Sequence, residues 1–168
     1  MIFLPQTEID DYMQKVKKWL VDEAIFREQI VDEQASYNFQ IELVPNSGNL
    51  LYVIQPKMSE DLILIVGGVS LSENYYQALI SLPKSEHDKL LWDLRFSLLF
   101  QDPDFCMIPS DENFNTIQFQ NRIYFDSLTK NNLVKSIRDV HRCILFVIWK
   151  LQQRFGVDSS KSQTQMYT

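Results

Sequence analysis

Glycine is scarce in this chain: four residues of 168, beside six prolines. So little of either excludes collagen-like and low-complexity classes. Neither the GxGxxG nor the GxxxxGK[ST] phosphate cradle is present. Gly67 and Gly68 follow an apolar run, where a strand end or a bulge is the expected use. Histidine and cysteine are rarer still, two of each. With no HExxH and no Cys-x-x-Cys, a zinc site has no local scaffold. Two thiols make no disulfide framework. No apolar run approaches the roughly 20 residues of a membrane span. The opening residues, MIFLPQTE, lack a basic region and a long apolar stretch. A secretory signal is therefore not expected, and a cytoplasmic address is. Basic residues are also in deficit, 16 against 22 acidic ones, for a net charge of −6. That argues against a nucleic-acid partner, which needs a basic footprint.

The charge is unevenly placed. Residues 1–128 hold nine Lys or Arg against twenty Asp or Glu, whereas residues 129–156 hold six against one. A basic helix on an acidic body is expected to be neutralised by the protein's own carboxylates; the other reading is a docking surface for an acidic partner.

Periodicity supplies the element order. Ile9, Met13, Val16, Leu20 and Ala24 recur at helical spacing over 7–24, with Thr7 as the expected cap. The period then changes to two. Strands are predicted over 25–32, 37–44 and 50–55, with the turn cluster Pro45 to Asn49 making the last two a hairpin. Residues 62–66, Leu-Ile-Leu-Ile-Val, are apolar on both faces and are expected at the centre of a sheet covered on both sides. A short helix over about 73–81 follows, then one over 86–101 opened by a Ser85–Asp88 capping box. Its predicted apolar stripe is Leu90, Leu91, Leu94, Leu98 and Leu99, widened by Trp92 and Phe96. Strands over 104–108 and 116–126 precede a long helix, 129–155, which Gly156 ends. Residues 1–156 read as a single α+β domain, and 157–168 as a flexible polar tail. The predicted architecture is an antiparallel sheet of about five to six strands, flanked by N-terminal and C-terminal helices.

Chemistry-bearing groups do not converge. Cys106 sits between Phe105 and Met107, and Cys143 precedes Ile144 and Leu145, so both are expected to be buried structural thiols. His141 and Cys143 are two apart on one helix and point about 200° away from each other, so they form no dyad. His87 is expected in solvent. Asp10/Asp11 and Asp32/Glu33 are expected to be solvated end charges, and Asp126 a turn or cap residue. No catalytic, cofactor-binding or metal residue is assigned, and no cofactor is expected.

One stretch stands out. Cys143 to Trp149 are seven consecutive apolar residues inside the last helix. At about 100° each they cover its whole circumference. The helix is expected to be dry all round there, packed on the sheet on one side and under the first helix or a second chain on the other. Phe146, Ile148 and Trp149 are the candidate partner interface.

Leu91-Trp92-Asp93-Leu94-Arg95, then Arg122 to Lys130, then Val147-Ile148-Trp149 with Phe155-Gly156 together resemble an archaeal-type family catalogued as domain-of-unknown-function family 2299. That family has no assigned activity, so the resemblance carries over no functional residue. It implies a fold like that of the type III secretion chaperones: helix, three strands, helix, two strands, helix. Proteins of that fold are often dimeric and bind polypeptides without catalysis. The function expected is therefore a non-enzymatic protein-binding module, adaptor or chaperone-like, whose partner is another protein or a second copy of itself. The alternative is a small-molecule-binding protein or enzyme with a pocket between sheet and helices, rimmed by Arg122, Tyr124 and Asp126.

Overall fold

The computed structural model describes residues 4–58 and 61–157, so the tail expected at 157–168 lies, Val157 apart, outside the described residues. The elements run α1 (Gln6–Asp22), β1 (Phe26–Gln29), β2 (Ala35–Glu42), β3 (Leu50–Pro56), β4 (Leu62–Ser70), α2 (Glu73–Ile80), α3 (Lys84–Leu99), β5 (Asp104–Ile108), β6 (Thr116–Tyr124) and α4 (Lys130–Phe155). The strands form one six-stranded antiparallel sheet in the order β1-β2-β3-β4-β6-β5. The fold is thus the expected α+β sheet flanked by N-terminal and C-terminal helices. Among the described residues no helix is long and apolar enough to cross a membrane.

Period-two alternation sorts the sheet into two unlike faces. Phe39, Ile41, Leu51, Val53, Ile63, Ile65, Ile117 and Phe119 point to one face and are almost fully buried. The helices cover that face: α4 lies along β4 and β6, α1 against β1 and β2, and α2 and α1 flank α4. The opposite face has no helix over it among the described residues. There Tyr52, Ile54, Leu64 and Val66 are only half-buried. The double apolar run of β4 is therefore central in strand order but not covered on both sides. Its second apolar row is an uncovered one.

Gly67 is neither a strand end nor a bulge. It lies inside β4, paired with Phe119. A Cβ there would overlap the Leu51 side chain and come within 3.0 Å of Ile144 Cδ1 and 3.2 Å of Val140 Cγ1. The missing side chain sets how closely α4 approaches the sheet.

Two helix starts differ from expectation. Neither Thr7 nor Ser85 caps; α1 and α3 begin directly after Pro5 and Pro83. The extended proline hands its carbonyl to the first turn, as Pro83 O accepts from the amides of Glu86 and His87, both at 2.9 Å. Side-chain caps open the other two helices. Ser72 Oγ accepts from the Tyr75 amide, and Thr129 Oγ1 from that of Asn132 at 3.1 Å.

Candidate binding surface

The interface candidates on α4 separate. Ile148 is 1% exposed and belongs to the core with Ile144, Val147 and Leu151. Phe146 is half-buried against that core, and Trp149 is 62% exposed. The helix is therefore not dry all round: sheet, α1 and α2 cover the arc through Cys143, Ile144, Val147 and Ile148, and the 100° step carries Trp149 out of it. Ile148 cannot meet a partner in the folded chain, whereas Trp149 can.

Three of the six basic residues of α4 pair with carboxylates from elsewhere in the chain. Lys130 pairs with Glu23 at 2.9 Å, Lys135 with Asp102 at 2.8 Å and Asp139 at 2.7 Å, and Arg154 with Glu86 of α3. Hydrogen bonds to the two carboxylates hold the Lys135 ammonium well above the usual lysine range. For these three residues the charge asymmetry is met within the chain.

The thiols and imidazoles are placed by the same geometry. Cys143 is buried, and burial together with Asp139 and Asp102 pushes its thiol up to about 11, far from a reactive thiolate. Cys106 is exposed, contrary to expectation. In a strand the apolar neighbours Phe105 and Met107 point to the other face, leaving Cys106 opposite Gln118 on the uncovered one. Burial holds the His141 imidazole below the usual histidine range. Its Nε2 is buried without a hydrogen-bond partner among the described residues. His87 is half-buried rather than solvated: four residues before Leu91 and seven before Leu94, it shares their inner arc. Among the described residues no three His, Cys, Asp or Glu side chains gather as a metal site would require.

The carboxylates serve local structure. Asp10 accepts from Tyr37 Oη at 2.6 Å and Gln6 Nε2 at 2.9 Å. Asp32 accepts from the Gln34 amide and Asn38 Nδ2. Asp126 is exposed in the 3-10 turn Phe125–Ser127 and accepts from Ser127 Oγ.

Arg122 and Tyr124 do meet, but on the uncovered face of the sheet and not between sheet and helices. With Pro56, Asp61, Leu62, Leu64 and Gln120 they line a surface groove of about 410 Å³, which excludes Asp126. It adjoins the apolar platform: Ile54 pairs with Leu64, Leu64 with Arg122, Tyr52 with Val66 and Val66 with Gln120. The result is a four-residue apolar floor with a polar and cationic margin.

A second surface escaped the sequence reading. Leu90, Leu91, Leu94 and Leu98 are the inner arc of α3, and Trp92, Phe96 and Leu99 lie outside it, at 51%, 57% and 62% exposure, with Phe100 just beyond at 81%. Trp92 and Phe96 stack at 5.6 Å, and the Arg95 guanidinium lies 4.9 Å from the Trp92 ring while pairing with Asp111 at 2.7 Å. The signal was in the spacing: Trp92 lies about 160° from Leu94 around the helix, so it cannot widen the stripe Leu94 centres.

Over residues 13–151 the chain matches the family described as "Uncharacterized conserved protein (DUF2299)", and it belongs to that family. The crystal structure of an uncharacterized protein from Methanothermobacter thermautotrophicus is similar at 30% identity and a TM-score of 0.81, over 86% of this chain and 99% of that one. Two more distant structures share the fold. The HopA1–SchA chaperone–effector complex contains a chain 11% identical, TM-score 0.52, aligned over 88% of this chain and 98% of that one. YbjN from E. coli is 13% identical, TM-score 0.51, over 84% and 92%. No curated protein is detectably similar. The expected family and the secretion chaperone-like fold are both found.

Proposed function

We propose that this member of the DUF2299 family is a non-enzymatic protein-binding module, an adaptor or chaperone, built on residues 1–156 as one folding unit and working in the cytoplasm as a homodimer. The observation that carries the reading is the uncovered face of the sheet. α1 and α4 pack on the other face, with α2 and α3 beside α4, and Tyr52, Ile54, Leu64 and Val66 remain half-buried beside Gln120 and Arg122. An apolar sheet face of this kind suits an extended or helical polypeptide segment, with the polar margin setting register. The fold shared with a chain of a chaperone–effector complex supports the same reading. A net charge of −6 favours a polypeptide over a nucleic acid.

The test is capture with the tagged full chain from lysate of its native source, beside an Ile54→Glu chain checked for folding by circular dichroism. The expected result is one polypeptide held stoichiometrically by the natural chain and lost from the variant. Capture of no polypeptide by the natural chain would overturn the proposal.

One observation favours a second reading, a small-molecule site. Arg122 has no ion-pair partner among the described residues and lines the groove of about 410 Å³ with Tyr124 and Gln120, a volume within the ordinary range for ligand pockets. A thermal-shift screen of small anions would raise the melting temperature in that case, and Arg122→Ala would abolish the rise.

A further inference from the structure

We infer that the outer face of α3 is where a second copy of this chain docks, its α3 antiparallel to the first across a two-fold axis. This deepens the proposal above, on whose homodimer it rests, by assigning the surface.

The first argument is area. Free aromatic side chains of this size present about 150–250 Å² each. At the exposures of Trp92, Phe96, Leu99 and Phe100 this amounts to on the order of 500 Å² per copy and about 1,000 Å² over two, the threshold for a specific interface. The second is charge. Two copies of a chain at −6 repel unless the faces that meet are locally neutral. Beside the exposed aromatic residues of α3, Lys84 pairs with Asp88 and Arg95 with Asp111, so the charges at that face balance one another. Acidic residues outnumber basic ones on the chain as a whole, so a balanced face suits another copy of it. The third is symmetry. A two-fold interface must be self-complementary. Trp92 and Phe96, both aromatic and both exposed, lie two residues on either side of position 94 and one helical turn apart. An antiparallel copy then sets Trp92 against the second copy's Phe96, and Phe96 against its Trp92, at the two-fold axis. Aromatic side chains in this central position carry most of the binding energy of an interface.

Sedimentation velocity on the full chain tests this. The expected mass is twice 19.9 kDa for the natural chain. Phe96→Glu should weaken dimerisation by at least about a hundredfold, giving the single-chain mass with an unchanged far-UV circular dichroism spectrum. Leu99→Lys, at a 62% exposed position, serves as a second variant should Phe96→Glu not fold. Trp149→Glu on α4 should remain dimeric. A natural chain at the single-chain mass would overturn both this surface and the homodimer. A Phe96→Glu or Leu99→Lys chain that stays dimeric, or a Trp149→Glu chain that dissociates, would overturn the surface alone.

Discussion

Ile144 of α4 sits over Gly67 of β4, so close that a Cβ on the glycine would come within 3.0 Å of Ile144 Cδ1. The longest helix of the protein thus meets the central strand at the one point where that strand carries no side chain on its covered face. Leu51 on the neighbouring strand closes the same space.

Gly67→Ala should therefore destabilise the protein by about 1–3 kcal/mol, the ordinary cost of an extra methyl in a packed core. Urea unfolding followed by tryptophan fluorescence measures it. A midpoint equal to that of the natural chain would mean that α4 can lift without cost.

Ile148→Asp and Trp149→Asp should behave oppositely although the positions are adjacent. Ile148 is 1% exposed, so its carboxylate would be buried without a partner and the chain should lose its cooperative thermal transition. Trp149 is 62% exposed, and its replacement should change stability by less than about 1 kcal/mol. Melting curves of the two variants, recorded side by side, decide the point.

The two thiols should separate in a labelling experiment on the native protein. Cys106 is exposed, whereas Cys143 is buried with its thiol pushed up to about 11. Iodoacetamide at neutral pH should modify Cys106 alone, and Cys143 only after denaturant is added. Mass spectrometry of the peptides reads the outcome. Early modification of Cys143 would show that α4 opens locally.

The hydrogen bond from Tyr37 Oη to Asp10, at 2.6 Å, ties β2 to α1 and defines a pH window. It is the first cause holding the Asp10 carboxyl below the usual range, and it pushes the Tyr37 phenol up to about 12. A depressed carboxyl contributes stability above its unfolded value of 3.8, lost as pH falls through the lower folded one. A raised phenol contributes below its unfolded value of 10.0, lost as pH rises through about 12. Tyr37→Phe should then melt below the natural chain between about pH 4 and 10, and the two curves should converge outside that window. A constant gap across the whole range would point to packing and not to this hydrogen bond.

The order and type of the helices and strands were legible in the chain because period and punctuation are local. Ile9, Met13, Val16 and Leu20 mark a helix face wherever it packs, and the alternation of Phe39 and Ile41 with polar neighbours marks a strand in the same way. Gly156 marks the end of α4 from sequence alone. The surfaces were not legible, because a run of apolar residues records hydrophobicity and not which neighbour arrives. Leu64 and Val66 read as fully covered, yet α1 and α4 packed on the other face. Ile148 read as a partner contact until the sheet took its side of α4, and Trp92 and Phe96 read as core until α3 turned its leucines inward. Cys106 read as buried from neighbours that, in a strand, point the opposite way. Local pattern depends on bonded geometry, which each segment carries with it. Exposure depends on contacts between segments far apart in the chain, and these exist only once sheet and helices have packed.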